Sequence, residues 1–335
     1  MKTLYGIQYL RALAAIAVVL FHAAEKTDHA FAIGAAGVDV FFVISGFIMW
    51  VISEKRPVSP ARFLADRLRR IVPVYWLATV VMVLGGVAGL FPNLVLSLQH
   101  VLASLFFVPI RSPSNGEIWP VLVQGWTLNF EMFFYAAFAA ALFLPQRLRL
   151  PVLGVVFAAL VTLGAAVSSD NPLFLTYTRP IILEFVAGMA LGALWLKGLV
   201  PKVRIGIFLL ALSLGGFATI ALARLPFDER ICGPLAVALV LGTLSLEAKS
   251  MVRHASIPAF LGNASYSIYL WHTFAISVIV KMGMSLHMPV PVVFALAVIG
   301  GVVAGSLAYL FVEKPLVRVF QGRPASSRMR LREAR

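Results

Sequence analysis

The chain has 335 residues, of which 61% are hydrophobic and 13% are charged, and its mean hydropathy is +0.93. Because soluble globular proteins are about half apolar and about a quarter charged, this composition excludes an ordinary soluble domain and indicates an integral membrane protein. The single cysteine, Cys232, excludes a disulfide framework and a cysteine-based metal site. The net charge of +14 does not indicate nucleic-acid binding, since the basic residues lie in short stretches between apolar runs, as membrane topology signals do.

Ten apolar segments are long enough to cross the hydrocarbon core, which takes about 20 helical residues. They are residues 7–24, 36–53, 72–91, 123–144, 151–168, 180–196, 205–223, 231–247, 263–282 and 291–312. Residues 94–110 are also apolar, but Gln99, His100 and Pro109 interrupt them, so we expect a re-entrant or interfacial segment there. The sequence therefore predicts an all-α integral membrane protein with about ten transmembrane helices, formed by one domain of residues 1–320.

The distribution of Lys and Arg predicts the orientation of these spans. With the N-terminus in the cytoplasm, the cytoplasmic segments hold 21 of these residues and the outer segments hold six, while Arg11 lies inside the first span. The excess of positive charge inside favours cytoplasmic N- and C-termini. Residues 321–335, rich in Arg and Ser, are predicted to form a disordered basic cytoplasmic tail beside anionic lipid.

The first span, RALAAIAVVLFH, carries Arg11 and His22. They share one helix face, because eleven steps of about 100° come within about 20° of three full turns, and they stand about 16 Å apart. Ionisable groups within a bilayer usually face a bundle interior or a water-filled cavity. The alternative is an arginine that snorkels to the cytoplasmic interface and a hydrogen-bonded structural histidine near the outer side.

The second span contains GVDVFFVISGF, which places Asp39 near the outer end, at a depth similar to that of His22. A carboxylate at that depth is suited to orient an imidazole that acts as a general base. The alternative is an aspartate at a helix start that satisfies free backbone N–H groups. Gly46 shares the face of Asp39 and predicts close packing against another helix.

The stretch SPARFLADRLRRIVPVYW follows the second span. Ser59 and Pro60 form a good N-cap and first-turn pair, so we expect a short interfacial helix over residues 60–71 before the third span. Guanidinium groups bind phosphate oxygens in a bidentate manner, and four arginines lie close together in this segment. They are either a polyphosphate clamp or a topology signal at the lipid headgroups: Arg62, Arg67, Arg69 and Arg70.

The fourth span, QGWTLNFEMFFY, carries a polar stripe on a helix whose other faces are Phe, Leu and Met. Within about 80° of one another lie the side chains of Gln124, Thr127, Glu131 and Tyr135. Glu131 is either a buried protonated acid in a hydrogen-bond network or part of a reaction site.

Two later spans also carry polar groups. The ninth, LGNASYSIYLWH, places Ser265, Tyr269 and His272 near mid-membrane. In the sixth, Gly188 and Gly192 predict a packing face, which leaves the nearby Glu184 without a structural explanation.

From residue 7 to about residue 315, the sequence resembles the bacterial acyltransferase-3 family of multi-span membrane acyltransferases. It is most similar to the members that acetylate exopolysaccharides of the succinoglycan type. The matching features are Arg11 and His22 with ten residues between them, GVDVFFVISGF, RLRRIVPVYW, WTLNFEMFFY, LEFVAGMALG, NASYSIYLWH and VEKP. The spacing of Arg11 and His22 alone is weakly specific, whereas the ordered set of motifs is specific.

The resemblance implies a multi-pass O-acyltransferase of the bacterial inner membrane that acts on a sugar hydroxyl. The donor would be acyl-CoA, with acetyl-CoA favoured, on the cytoplasmic side. The acceptor would be a polysaccharide or a lipid-linked oligosaccharide on the outer side. Glycan-assembly proteins are further partners in this interpretation, and neither a metal nor a permanently bound cofactor is expected.

Residue roles follow from the resemblance together with the polar stripes. We expect catalytic roles for His22, Asp39, Glu131 and Arg11. We expect substrate contacts from Arg62, Arg67, Arg69, Arg70, Tyr75, Trp76, Trp126, Asn129, Tyr135, Glu184, Ser265, Tyr269 and His272.

In the favoured mechanism, His22 deprotonates the sugar hydroxyl as it attacks the thioester, and Asp39 or Glu131 orients the imidazole ring. An acyl-histidine intermediate is the competing chemistry, and the residues alone do not separate the two. A flippase or proton-coupled transporter of glycan precursors is the alternative function, since the proton relays of transporters also use intramembrane ionisable groups. The missing internal repeat and the arginine cluster count against it, and an inactive scaffold is the third interpretation.

Overall fold

The computed structural model describes residues 3–55 and 57–321, which form a helical bundle with no strand in those ranges. The helices are α1 (Tyr5–Lys26), α2 (Gly37–Lys55), α3 (Pro60–Val87), α4 (Leu98–Leu105), α5 (Gly125–Ala141), α6 (Gln146–Ala166), α7 (Pro172–Tyr177), α8 (Leu183–Leu196), α9 (Val203–Leu222), α10 (Glu229–Ala248), α11 (Ser256–Ser285), α12 (Val290–Ala308) and α13 (Lys314–Gln321). The predicted disordered tail falls outside the described residues, apart from the backbone of Gln321.

Eight helical segments are long and apolar enough to cross a membrane. They are Tyr5–Lys26, Ala32–Lys55, Pro60–Val87, Gln146–Ala166, Val203–Leu222, Glu229–Ala248, Ser256–Ser285 and Val290–Phe320. These confirm eight of the ten predicted spans in length and composition. The other two, at 123–144 and 180–196, form the shorter helices α5, with 17 residues, and α8, with 14 residues after a 3₁₀ turn.

Residues 94–110 contain only the eight-residue helix α4, which rises about 12 Å and is too short to be a further span. The Tyr75 hydroxyl donates to the carbonyl of Ser104 at 3.1 Å, and the Trp76 indole donates to the carbonyl of Leu105 at 2.8 Å. Tyr75 and Trp76, which we predicted to contact substrate, line neither of the two cavities described below. Their polar atoms instead fix the C-terminal end of α4 to α3, because the last carbonyls of a helix need donors from outside it.

The predicted break between an interfacial helix and the third span is also wrong, since α3 is one helix from Pro60 to Val87 with Pro73 inside it. The Ser59 hydroxyl accepts from the backbone N–H of Arg62 at 3.4 Å, so the predicted N-cap is confirmed. Proline removes one backbone hydrogen bond but leaves the helical φ available. The buried side chains that flank it, Ile71 and Val74, keep the same face packed on both sides.

Close helix packing places α2 against α8 and brings α1 into contact with α2, α10, α11 and α12. A Cβ at Gly46 would collide with the carbonyl of Phe185, and one at Gly188 would collide with the carbonyl of Val43. The packing roles predicted for these two glycines are therefore confirmed. Because α1 has neighbours on several sides, the stripe that carries Arg11 and His22 faces protein rather than lipid.

Candidate active site

Two cavities lie along α1, α2, α5 and α11, and each contains one end of the predicted stripe. The cavity that we call the Arg11 cavity has a volume of about 110 Å³ and is lined by Arg11, Arg67, Arg70, Glu131 and Tyr135, among others. The cavity that we call the His22 cavity has a volume of about 590 Å³. Its polar lining includes His22, Glu25, Gln124, Asn129 and Arg179. The stripe therefore faces two separate compartments of the bundle.

His22 lines its cavity with a side chain that is 22% exposed, and its Nδ1 lies 3.1 Å from Oε2 of Glu25. Glu25 is one turn further along α1, the spacing at which two helical side chains meet. A hydrogen bond from Nδ1–H to this carboxylate leaves Nε2 as a free acceptor, which is the tautomer that a general base needs. The partly exposed ring at a cavity is compatible with catalysis, and its hydrogen bond to Glu25 also fits the alternative of a hydrogen-bonded structural histidine.

The carboxylate beside His22 is thus Glu25. The sequence predicts that Asp39 or Glu131 orients the ring, and neither of them contacts it in the structure. The oxygens of Asp39 are fully buried without a hydrogen-bond donor among the described residues. The similar depth of Asp39 and His22 in the membrane therefore did not predict a contact between them, because Asp39 points toward α8 instead of α1. The His-x-x-Glu spacing in FHAAEK was the signal that sequence reasoning missed.

Asp39 lies beside the carboxyl group of Glu184, and neither residue lines a cavity. The oxygens of Glu184 also lack a donor among the described residues, and Gly233 of α10 packs against them. Two adjoining carboxyl groups in an apolar environment are stable when they share a proton. The predicted catalytic role of Asp39 and substrate contact of Glu184 are therefore not supported, and the pair joins α2 to α8.

Arg11 comes from α1 and meets Arg67 and Arg70 of α3 in the Arg11 cavity. The predicted clamp of four arginines is corrected, since Arg62 and Arg69 are exposed and line neither cavity. On a helix, residues 62 and 67 point about 140° apart, whereas residues 67 and 70 point about 60° apart. One face of α3 therefore serves the cavity while the other faces outward, where Arg69 lies 3.8 Å from Asp66.

Glu131 belongs to a hydrogen-bond network in the same cavity. Its carboxylate accepts hydrogen bonds from the hydroxyl of Tyr135 and, at 3.3 Å, from the hydroxyl of Ser45. This is the network predicted as one of the two alternatives for Glu131. Ser265 lines the cavity with a hydroxyl that has no partner among the described residues. Three guanidinium groups against one carboxylate leave the lining positively charged, which suits an anionic ligand.

Aromatic and polar side chains face each other across the His22 cavity. Trp126 and Asn129, which we expect to contact substrate, line it together with Trp119 and Phe130. The guanidinium of Arg179, which sequence reasoning missed, lies 5.5 Å from the centre of the Trp126 ring and 2.5 Å from Glu229. A cavity that combines aromatic faces with amide and charged groups is suited to a polar ligand with apolar ring faces.

His272 supports His22 from α11. The two imidazole rings lie 5.2 Å apart, and the Nδ1 of His272 donates to the carbonyl of Ile268 at 2.9 Å. This hydrogen bond leaves Nε2 of His272 as a buried acceptor with no partner in the described part of the chain. His272, which we predicted to contact substrate, lines neither cavity and instead contacts His22.

Tyr269 and Val38 border both cavities. The Tyr269 hydroxyl lies 2.9 Å from the hydroxyl of Thr127 and 3.1 Å from the carbonyl of Gln124. In the described ranges, no group of three or more His, Cys, Asp or Glu side chains is arranged to hold a metal ion.

Comparison with known proteins gives a family and a set of relatives. The family model described as "Acyltransferase domain" matches residues 4–311. The chain is 65% identical to the exopolysaccharide production protein ExoZ of Rhizobium meliloti (strain 1021), over 90% of this chain and 95% of that protein. No solved structure matches it.

More distant relatives are larger proteins. A putative O-acetyltransferase of Staphylococcus aureus (strain COL) is 25% identical over 94% of this chain and 57% of its own length. The peptidoglycan O-acetyltransferase OatA of Listeria monocytogenes is 26% identical over 81% of this chain and 49% of its own length. The family match covers helices α1 to α12 and the residues that line both cavities, and it agrees with the resemblance carried by the motifs. The chain therefore belongs to the acyltransferase-3 family of membrane acyltransferases.

Proposed function

We propose that this acyltransferase moves an acetyl group from acetyl-CoA to a hydroxyl of an exopolysaccharide or of its lipid-linked precursor. The observation that carries the proposal is the meeting of two unlike cavities, one basic and one aromatic and polar, beside a carboxylate-bound histidine. The names of the relatives, an exopolysaccharide production protein and two O-acetyltransferases, support the same reaction class.

The Arg11 cavity is the proposed donor side. Acyl-CoA carries phosphates at one end and a thioester at the end of a narrow arm, and Arg67 and Arg70 are suited to pair with phosphate oxygens. A volume of about 110 Å³ admits the end of such an arm but not the whole donor. The nucleotide therefore stays at the mouth of the cavity, and Arg11 lies along the path of the arm.

The His22 cavity is the proposed acceptor side. Its volume of about 590 Å³ is in the range of pockets that hold small ligands. Sugar rings have apolar faces and hydroxyl edges, which the aromatic rings of Trp119 and Trp126 and the side chain of Asn129 are able to meet. With both termini in the cytoplasm of a bacterial inner membrane, this cavity would open to the outer side and the Arg11 cavity to the cytoplasm.

His22 is the proposed general base. Its Nε2 takes the proton of the sugar hydroxyl while the oxygen attacks the thioester carbonyl carbon, and Glu25 holds Nδ1–H and stabilises the imidazolium. The carbon–sulfur bond then breaks, and His22 returns the proton to sulfur, so the products are a sugar ester and free CoA thiol. In the alternative, Nε2 of His22 attacks the thioester first, which breaks the carbon–sulfur bond, releases the CoA thiol and forms an acyl-histidine. The sugar hydroxyl then attacks the acyl carbon, and the carbon–nitrogen bond to His22 breaks.

Incubation of the purified protein with radiolabelled acetyl-CoA and surface glycan tests this function. We expect label on the glycan from the wild type and a loss of about 10²- to 10⁴-fold from His22→Gln that has inserted normally. Wild-type transfer by His22→Gln would contradict the role of His22. Movement of glycan across the membrane of vesicles without transfer of label would instead identify a flippase or transporter. The absence of both activities would identify a scaffold.

A further inference from the structure

The Arg11 cavity and the His22 cavity adjoin, and we call the side chains that line both of them the wall. Only Val38 and Tyr269, among the described residues, line both cavities. Both are largely buried, with exposures of 6% and 7%. The larger of the two, Tyr269, is therefore the principal side chain of the wall.

Hydrogen bonds hold Tyr269 in this position from the opposite helix. Its hydroxyl donates to the carbonyl of Gln124 at 3.1 Å and lies within hydrogen-bond distance, 2.9 Å, of the hydroxyl of Thr127. Gln124 lines the His22 cavity and Thr127 lines the Arg11 cavity, so the fixed hydroxyl lies at the boundary between the two. The ring of Phe41 meets the Tyr269 ring edge to face at 6.1 Å. The wall thus joins α11 to the start of α5.

A thioester can be cleaved by a sugar hydroxyl or by water, and both reactions break the same carbon–sulfur bond and release the same thiol. Only the oxygen that replaces sulfur differs, and water is far more abundant than the sugar. A closed wall keeps the water of the larger cavity away from a donor held in the smaller one. Opening the wall requires the loss of the hydrogen bonds to Gln124 and Thr127 and of the packing against Phe41, and an acceptor bound beside Gln124 is placed to disturb the hydrogen bonds.

We infer that Tyr269, held by Thr127 and Gln124, is the residue that reserves the acyl group for the sugar hydroxyl and denies it to water. This inference rests on the proposed acyl transfer and adds to it a determinant of acceptor specificity. Tyr269 acts by separating compartments, so its contribution is measured as the ratio of hydrolysis to transfer.

Thiol labelling tests the wall without relying on activity. In a Cys232→Ala background, Ser45→Cys places a thiol in the Arg11 cavity and Ser277→Cys places one in the His22 cavity. A membrane-impermeant methanethiosulfonate is added to intact cells. We expect Ser277→Cys to react whether Tyr269 is intact or replaced by alanine. We expect Ser45→Cys to react only when Tyr269→Ala is also present. Equal labelling of Ser45→Cys with Tyr269 intact would overturn the inference.

Product analysis tests the specificity. With acetyl-CoA and no acceptor, we expect Tyr269→Ala to release free acetate about tenfold faster than the wild type, because the wall is open. Tyr269→Phe and Thr127→Val keep the ring and remove both or one of its hydrogen bonds, respectively. Their rates of acetate release should therefore lie between those of the wild type and Tyr269→Ala. Tyr309→Ala, which removes a tyrosine that lines neither cavity, is the matched control.

The two proposals fail in different ways. Unchanged acetate release from both Tyr269→Ala and Tyr269→Phe, in proteins that still transfer acetyl to glycan, would refute the role of Tyr269 alone. Absence of transfer by the wild type, with side-selective labelling still dependent on Tyr269, would refute the proposed function and leave the wall in place.

Discussion

At the scale of single residues, the site depends on which carboxylate reaches which imidazole. Glu25 lies 3.1 Å from His22, whereas Asp39 faces Glu184 on another helix. Local spacing on one helix fixes the first contact, since residues three apart on α1 must lie on neighbouring positions of its surface. The second contact depends on how α2 is rotated against α8, which no local rule supplies.

Glu25→Gln tests the orientation of the base. The amide still accepts a hydrogen bond from Nδ1–H but carries no charge, so it no longer stabilises the imidazolium. We expect kcat for acetyl transfer to fall about 10- to 100-fold, less than the loss of the base itself, with little change in KM for acetyl-CoA. Steady-state kinetics at several donor concentrations measures both constants.

Asp28→Asn is the matched control for Glu25→Gln, because Asp28 follows the same helix but lines neither cavity. Its kinetics should equal those of the wild type. A similar loss of kcat in the two variants would show that the charge of this region acts generally, and that Glu25 has no special relation to His22.

At the scale of elements, each helix divides its residues between faces with different tasks. On α3, Arg67 and Arg70 face the Arg11 cavity while Arg62 and Arg69 are exposed. On α2, Gly46 faces the backbone of α8. Helical periodicity tells which residues share a face, and packing tells what that face meets.

The two faces of α3 predict a kinetic contrast. Arg67→Gln and Arg70→Gln should each raise KM for acetyl-CoA about tenfold, since a charge-assisted hydrogen bond to phosphate contributes about 1.5–3 kcal/mol. Arg62→Gln and Arg69→Gln are controls of the same chemistry and should change KM for acetyl-CoA by less than about twofold in the same assay. Equal increases for all four would instead support a diffuse attraction of the donor to a basic surface.

The contact of α2 with α8 predicts a stability contrast between two glycines. Gly46→Ala forces a Cβ against the carbonyl of Phe185 and should destabilise the bundle by about 1–3 kcal/mol. Gly215→Ala, in the middle of α9, meets nothing within 4 Å and should be neutral or slightly stabilising, because alanine favours the helix. Thermal unfolding in detergent compares them, and a lower midpoint for Gly215→Ala than for Gly46→Ala would contradict the packing argument.

At the scale of the whole molecule, the bundle contains two cavities, one beside each end of the Arg11–His22 stripe. This placement matters only if the two ends face opposite sides of the membrane. The excess of Lys and Arg in alternate connections predicts such an arrangement. The orientation is therefore the property on which the donor and acceptor assignments jointly depend.

Cysteine accessibility in intact cells tests the orientation. Asn115→Cys, in the exposed segment before α5, should react with an impermeant thiol reagent, because that segment is predicted to lie outside. Leu199→Cys, with an exposure of 63% between α8 and α9, should react only after the membrane is permeabilised. The reverse pattern would exchange the donor and acceptor sides, since it would place the Arg11 cavity toward the exterior.

The sequence by itself determined the class of protein, eight of its spans, the Ser59 cap, the packing glycines and the family. These follow from composition, from periodicity within single helices and from ordered motifs, all of which are local properties of the chain. It did not determine that α3 is continuous, that Asp39 faces Glu184, that Arg11 joins Arg67 and Arg70, or that Tyr269 lines two cavities. Those facts depend on how helices far apart in sequence rotate and pack against one another, and only the tertiary structure decides that.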